Sequence, residues 1–161
     1  MAHNWTILTN PNPELRKRSV EIDVARIKTP EYQAFADDFA AMMVKADGVG
    51  LAAPQIGISE RIIAVQEKEK VAVYANPEII KRSTAMQITE EGCLSVPGVF
   101  GMVERAKRIT VRALDRHGRR VEMELSNFPA DVFQHEVDHL DGILFIDKVK
   151  EYTQGGKDVR I

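Results

Sequence analysis

The chain has 161 residues, of which 44% are hydrophobic, so it is long enough for one domain with its own core. Its 22 Lys and Arg residues and 24 Asp and Glu residues leave a net charge of -2, which gives no overall reason to expect nucleic acid or an acidic membrane as a partner. Because there is a single cysteine, no signal-peptide pattern and no apolar run of roughly 18 residues, we expect no internal disulfide, no export and no membrane span, and hence a single soluble domain in the cytoplasm.

The first predicted element is a helix that begins after Thr29. Thr29 followed by Pro30 is typical of a helix cap with proline in the first turn. Four apolar side chains then recur on one helical face: Phe35, Phe39, Met42 and Met43. We therefore expect an amphipathic helix that ends at Gly48.

Short strands are predicted through the middle of the chain, at residues 61–66, 71–76, 109–114 and 121–125. Asp115-Arg-His-Gly118 has turn-forming residues between the last two segments, so these two are expected to form a hairpin. The region is therefore predicted to be mostly antiparallel β-structure.

A second helix is predicted from Asn127 and Pro129 to Asp141-Gly142, which is a typical helix end. Its apolar positions are Val132, Phe133, Val137 and Leu140. The order of helix, strands and helix indicates an α+β fold. We expect mostly antiparallel strands packed around a C-terminal metal-binding helix, with an additional N-terminal helix.

The second helix contains His135-Glu136-Val137-Asp138-His139, an H-E-x-x-H motif. At helical spacing the two imidazoles project from one face, one turn apart, where they can bind a single cation. Glu136 lies beside them and can take a proton from water and pass it to a leaving amine. The alternative is an exposed helix whose side chains only face water. The other histidines, His3 and His117, lie in a terminal segment and a turn, where we expect solvated side chains.

Two histidines leave a catalytic ion without a third protein ligand. In one H-E-x-x-H class this ligand is a histidine at the position that Phe145 occupies here, and phenylalanine cannot bind a metal. In another class it is a Glu from a later helix, but after Asp147 only Glu151 and Asp158 remain, in a polar segment too short for that helix. A ligand downstream of the motif is therefore not expected.

Cys93 is the candidate third ligand. A thiolate with two neutral imidazoles is an accepted tetrahedral set that leaves the fourth position for water. Two alternatives stay open: a buried cysteine that acts as a small hydrophobic side chain, and a nucleophilic cysteine with a histidine as base. Because the metal site accounts for more residues, we expect a metal-dependent hydrolase that cuts an amide bond.

Three segments together resemble the peptide deformylase family: Gly48-Val-Gly-Leu-Ala-Ala-Pro-Gln55, Glu91-Gly-Cys-Leu-Ser95 and Gln134-His-Glu-Val-Asp-His-Leu140. They stand in the family's order and approximate spacing. The likeness extends from about Leu8 to Asp147, and so covers most of the chain.

The resemblance implies a role for each matching residue. Metal binding falls to Cys93, His135 and His139, and general acid/base catalysis to Glu136. The side-chain amide of Gln55 and the backbone N–H of Leu94 are implied to donate to the formyl oxygen as it becomes negatively charged.

The implied substrate is the N-formylmethionine end of a newly made polypeptide, and the implied products are formate and a free amino terminus. Val49, Phe128 and Val132 are candidates for the walls of an apolar pocket for the methionine side chain; the alternative is that they belong to the core. The peptide is also a candidate for an extra strand beside Val49-Gly50. Thiolate and imidazole ligands alone favour Zn²⁺. The resemblance instead implies Fe²⁺, with Zn²⁺, Ni²⁺ or Co²⁺ able to replace it.

The last residues depart from many bacterial members, which carry a longer basic helix. Here residues 151–161 are polar and broken by Gly155 and Gly156. We expect a polar tail from about residue 150 that is free to be flexible, and docking at the ribosome exit region is in doubt.

Three rival functions have distinct requirements. An H-E-x-x-H endopeptidase would need a downstream third ligand and a cleft open at both ends. A non-catalytic peptide-binding or structural metal module would have no use for Glu136 and Gln55. Nucleic-acid binding through the basic residues of 105–112 and 116–120 would show a steep salt dependence, and the alternative for these residues is a solvated hairpin face.

Overall fold

The computed structural model describes residues 3–159. The helices and strands of this part follow in chain order: α1 Val24–Ile27, α2 Pro30–Lys45, β1 Gly50–Ala52, β2 Ile62–Glu67, β3 Lys70–Arg82, β4 Met86–Cys93, β5 Val96–Ala106, β6 Arg108–Leu114, β7 Arg120–Ser126, α3 Phe128–Leu140 and β8 Val149–Gln154. This mixture of helices and antiparallel strands confirms the predicted α+β class. None of these helices has the length and apolar content needed to cross a bilayer.

The strands form two antiparallel sheets. The larger has the order β1-β2-β3-β6-β7 and the smaller has the order β4-β5-β8. β1 is an edge strand of the larger sheet, and β4 is an edge strand of the smaller one. Gly50, in the first of the three matching segments, therefore lies in the larger sheet, whereas Cys93 lies at the end of β4 in the smaller sheet.

The larger sheet is covered by α2 on one face and by α3 on the other. In β2, Ile62 and Ala64 belong to the core that contains Phe39 of α2, whereas Ile63 and Val65 belong to the core that contains Phe133 of α3. Alternate residues of a strand point to opposite faces, so a strand covered on both faces must be apolar throughout. This fixes α3, and with it the H-E-x-x-H motif, against the sheet.

Helix α2 begins as predicted and ends earlier than predicted. The Thr29 hydroxyl accepts a hydrogen bond from the Tyr32 N–H at 3.2 Å. The helix ends at Lys45 rather than at Gly48, because Asp47 adopts a left-handed conformation with φ 59°. The Gly48 N–H then donates to the Met43 carbonyl at 3.0 Å, which satisfies a carbonyl of the last turn.

Strand β3 continues past its predicted end at residue 76. Asn76 has φ 49°, and its side chain both accepts from the Ile22 N–H and donates to the Ile22 carbonyl at 2.9 Å. The register with β6 shifts between Ala75 and Glu78, and pairing then resumes. The interruption is thus a bulge held by a distant segment.

The smaller sheet was not predicted as such. β8 occupies residues 149–154 and pairs with β5, whereas the sequence predicts a polar tail from about residue 150. Its side chains are mostly exposed, so it carries no alternating apolar pattern. The backbone hydrogen bonds that β5 offers, rather than side-chain burial, define this strand.

Candidate metal centre and substrate cavity

Three candidate ligands meet beside α3. His135 and His139 lie one turn apart on the helix, and Cys93 is the last residue of β4. Their candidate ligand atoms all lie within 4.8 Å of one another, and Cys93 Sγ is 3.3 Å from His139 Nε2. One thiol and two imidazoles at this spacing fit a tetrahedrally bound divalent ion with one open position.

A buried carboxylate orients the first imidazole. His135 Nδ1 lies 2.7 Å from Glu91 Oε1, which leaves Nε2 for the ligand cluster. Arg105 donates to both Glu91 oxygens, from Nε at 2.5 Å and from Nη2 at 2.9 Å, and its Nη1 donates to Asp138 at 2.9 Å. Burial alone would raise the pKa of Glu91, but the hydrogen bonds from His135 and Arg105 outweigh it and lower the pKa to about 2. Such a carboxylate fixes both the tautomer and the orientation of a ligating histidine.

The two imidazoles have different electrostatic surroundings. Burial lowers the pKa of His139 well below its usual value, and the charge of His135 adds to this effect. For His135 burial also acts downward, but hydrogen bonds with Cys93 and Glu91 outweigh it and raise the pKa well above the usual value. Metal ligation requires both imidazoles in the neutral form, so an ion bound here would take the place of the proton that the surroundings of His135 favour.

Glu136 lies inside the site with room for its carboxyl group. It is 4% exposed, and its Oε1 has no hydrogen-bond partner among residues 3–159. A Cβ added to Gly50 would lie 2.3 Å from Glu136 Oε2, so any other residue at this position would require the carboxyl group to shift. Burial raises the pKa of Glu136 to about 7. A carboxyl group with a pKa near neutrality is suited to proton transfer.

Gln55 is held with its amide group beside Cys93. The residue is 2% exposed, and its Oε1 accepts from the Ala52 N–H at 2.9 Å. Its Nε2 donates to Ser95 Oγ at 3.1 Å and lies 3.7 Å from Cys93 Sγ. The fixed carbonyl side leaves the NH₂ side directed toward the candidate ligands.

A cavity of about 480 Å³ lies next to the ligand cluster. Nine of the predicted site residues line it, and of the predicted set only the buried His139 does not: Val49, Gly50, Gln55, Cys93, Leu94, Phe128, Val132, His135 and Glu136. Val49 and Phe128 are 47% and 58% exposed, whereas Val132 is buried. The predicted pocket residues therefore border one space, and Val132 also belongs to the core that contains Phe133.

Several residues of the site were missed by sequence reasoning. Glu91 and Ser95 lie in the second matching segment but have no predicted role, and Arg105 is predicted only as part of a basic surface. Asp131, one turn before His135, also lines the cavity and is buried. Asp131 lies four positions before His135, so helical spacing alone could have indicated that the two share a face. The contact between Arg105 and Glu91, in contrast, is formed only in the folded protein.

The structure also locates the residues on which the rival interpretations of the metal ligands depend. Phe145 is buried, and its ring stacks against His135 with centroids 6.1 Å apart. Glu151 is exposed on β8, and the side chain of Asp158 lies outside the described part of the chain. His117 is exposed, and the exposed His3 contacts Asp38.

Part of the basic surface considered for nucleic acid is used within the fold. Arg105 is 3% exposed and bound to Glu91. Arg116 donates to the Gln33 carbonyl and to Asp37. Two of its arginines are therefore committed to intramolecular contacts.

Comparison with known proteins is consistent across sequence and structure. The family model described as "Polypeptide deformylase" matches residues 5–155. The chain is 46% identical over 145 residues to "Peptide deformylase" of Desulforudis audaxviator, covering 89% of this chain and 92% of the relative. It is 44% identical over 144 residues to "Peptide deformylase 2" of Xanthomonas campestris, covering 88% of this chain and 84% of the relative.

Solved structures agree with this result. The crystal structure of peptide deformylase from Thermotoga maritima superposes with a TM-score of 0.86 at 38% identity, covering 92% of this chain and 99% of that chain. A class I type b peptide deformylase from Acinetobacter baumannii with Met-Ala-Ser bound superposes with a TM-score of 0.86 at 36% identity, covering 92% and 100%.

Proposed function

The chain belongs to the polypeptide deformylase family, metal-dependent hydrolases that remove the N-formyl group from newly made polypeptides, and from this premise we propose how its own residues carry out the reaction. The observation that carries the proposal is the meeting of Cys93, His135 and His139 within 4.8 Å beside the buried Glu136. These three residues hold the ion. On the family resemblance the native ion is Fe²⁺, with Zn²⁺, Ni²⁺ or Co²⁺ as substitutes.

Glu136 is the general acid/base. When bound, the ion supplies a Lewis acid that activates water and polarises the formyl carbonyl. Glu136 takes a proton from the attacking water and delivers it to the nitrogen of the breaking C–N bond. One water molecule is consumed, and formate and a free amino terminus leave. The space that Gly50 provides lets the carboxyl group act without displacing the backbone of β1.

Gln55 and Leu94 stabilise the negative charge that develops on the formyl oxygen. The Gln55 amide is already fixed by the Ala52 N–H and Ser95, so it needs little reorganisation during the reaction. Leu94 follows the ligand Cys93 directly and lines the same cavity, so its backbone N–H is the second donor.

The substrate is the N-formylmethionyl end of a nascent peptide in the cytoplasm. Phe128, Val132 and Val49 form apolar walls for the methionine side chain, and all three line the cavity. β1 is an edge strand, so the peptide can add as a further strand beside Val49 and Gly50. The Acinetobacter baumannii relative with Met-Ala-Ser bound supports a short peptide as the occupant. Ribosome docking is no part of the proposal.

The test is formate release from formyl-Met-Ala-Ser by protein loaded with Fe²⁺ without oxygen, or with Ni²⁺. The acetylated peptide is the matched control, and a longer peptide with a free amino terminus tests for endopeptidase activity. Formate from the formylated peptide alone is the expected result. Internal cleavage of the longer peptide without formate would instead establish the endopeptidase function.

A further inference from the structure

The segment of residues 5–16, called the strap below, contacts several elements of the site, although none of its residues lines the cavity. The strap is fixed at both ends. The ring of Trp5 packs against that of Phe35 on α2, with centroids 5.4 Å apart. Arg16 donates to both carboxylate oxygens of Asp147, beyond the end of α3, at 2.6 and 3.1 Å. The strap is therefore an ordered part of the fold that runs from one helix to the end of the other.

Two backbone N–H groups of the strap bind residues next to the candidate ligands. The Leu8 N–H donates to the Gln55 carbonyl at 2.7 Å, and the Asn10 N–H donates to the Ser95 carbonyl at 2.7 Å. Gln55 follows β1 of the larger sheet, whereas Ser95 follows β4 of the smaller sheet. The strap therefore bridges the two sheets beside the site.

The two residues that the strap binds are also joined to each other. Gln55 Nε2 donates to Ser95 Oγ at 3.1 Å. Together with the N–H groups of Leu8 and Asn10, this contact closes a ring of three hydrogen bonds. Gln55 and Ser95 are 2% and 0% exposed, so water cannot readily replace a bond that is lost. The ring fixes the position of Gln55 relative to Ser95.

This ring holds both groups that are proposed to stabilise the formyl oxygen. Gln55 is a member of the ring, and Leu94 immediately precedes the member Ser95. Two such donors must be aimed at one oxygen before the reaction begins, because their effect depends on preorganisation. Since β1 and β4 lie in different sheets, pairing between these strands does not hold the two donors together.

We propose that the strap positions the two oxyanion donors and that Leu8 is a positioning residue, whose N–H holds Gln55 through its backbone carbonyl. This rests on the proposed function, because the two donors matter only if a formyl oxygen becomes negatively charged beside them. No strap residue lines the cavity. The strap therefore affects the rate of the chemical step rather than the binding of the peptide or the ion.

The first test compares Leu8→Pro with Leu8→Ala. Proline removes the N–H, whereas alanine keeps it and removes most of the side chain, which packs against the core that contains Leu15 and Val96. Relative to Leu8→Ala, kcat for formyl-Met-Ala-Ser should fall about 10- to 100-fold in Leu8→Pro, since a displacement of about 1 Å can cost about 100-fold. KM and the amount of bound metal should differ by less than about twofold between the variants, because ground-state binding is unchanged.

A double-mutant cycle with Gln55 distinguishes positioning from a general loss of stability. Gln55→Leu removes the amide that Leu8 is proposed to position. In the Gln55→Leu background, Leu8→Pro should therefore lower kcat by a further factor of less than about three. If the two losses multiply instead, the strap does not act through Gln55 and the proposal is overturned.

Asn10 provides a second position if Leu8→Pro does not fold. Asn10→Pro removes the other N–H of the ring, with Asn10→Ala as the matched control, and the same fall in kcat is expected. If neither proline variant folds, hydrogen exchange is measured by NMR on the unmodified protein loaded with Zn²⁺. The amide protons of Leu8 and Asn10 should then exchange as slowly as those of the paired strands β2 and β3. Exchange as fast as that of an exposed loop would overturn the proposal.

The outcomes separate the two proposals. Equal values of kcat in Leu8→Pro and Leu8→Ala would overturn the role of the strap while leaving deformylation of formyl-Met-Ala-Ser intact. If the unmodified protein releases no formate from this peptide, the proposed function fails, and the role of the strap fails with it.

Discussion

The Glu91 carboxylate lies 2.7 Å from Nδ1 of His135, and this contact determines which imidazole nitrogen is available to an ion. Arg105 holds Glu91 from the other side through two hydrogen bonds. The orientation of a ligand on α3 thus depends on a residue of β4 and one of β5. The catalytic helix alone does not specify the site.

Replacing Glu91 by Gln should weaken metal binding. The amide cannot accept as strongly from His135 Nδ1 and leaves Arg105 without a full counter-charge, and loss of such a supporting contact typically costs roughly 10- to 100-fold in affinity. Competition of the bound metal with a chelator measures this. Glu90→Gln is the control, because Glu90 is exposed and bonded to Thr153. Equal affinities of the two variants would contradict the role given to Glu91.

Gly50→Ala should abolish most activity without unfolding the protein. The added Cβ would lie 2.3 Å from Glu136 Oε2, so the carboxyl group must move, and a displacement of about 1 Å at a reacting group can cost about 100-fold in rate. Steady-state formate release gives the rate. In the control, Gly48→Ala, the added Cβ would meet the end of the Leu94 side chain at 3.0 Å, which can move aside, so a smaller loss is expected. Full activity of Gly50→Ala would refute the steric argument.

Gln55→Leu should lower kcat with little change in KM. It removes an amide donor aimed at the developing negative charge, and loss of one such donor typically lowers kcat by about 100- to 1000-fold. Ser95→Ala is the matched comparison, because it removes only the Nε2 contact at 3.1 Å and leaves the amide group in place. If Ser95→Ala is impaired as strongly as Gln55→Leu, the amide acts through packing rather than as a donor.

Glu136→Gln should keep the metal and lose turnover. The amide preserves the shape of the side chain but cannot take a proton, and general acid–base catalysis contributes about 100- to 10,000-fold. Metal content by elemental analysis and formate release should be measured on the same sample. Retained turnover in a fully loaded sample would be incompatible with proton transfer by Glu136.

Cys93→Ala should lose the metal as well as the activity. Removing the thiolate leaves two imidazoles, which are too few protein ligands for a tight catalytic site. Metal titration monitored by calorimetry, beside the Glu136→Gln variant, separates loss of the ion from loss of proton transfer. Tight binding of one equivalent of metal by Cys93→Ala would count against Cys93 as a ligand.

Sequence patterns predicted the elements whose side chains are buried with a clear period. α2 and α3 repeat apolar residues on one face, and β2 is apolar from Ile62 to Val65, so burial itself gives the signal. The smaller sheet gives a weaker signal, since β8 is mostly exposed and pairs with β5 mainly through backbone hydrogen bonds. The end of α2 was misplaced because Asp47, rather than a glycine, adopts the left-handed conformation.

The sequence by itself determined the H-E-x-x-H spacing, the single thiol and the family resemblance, because all three are properties of residue type and order along the chain. Only the tertiary structure decided that Cys93 reaches His139, that Glu91 and Arg105 support His135, and that Gly50 makes room for Glu136. It also placed the buried Asp131 in the cavity wall. These contacts join residues that lie 14 or more positions apart, or depend on which way a buried side chain faces, and packing of α3 against the larger sheet and β5 fixes both.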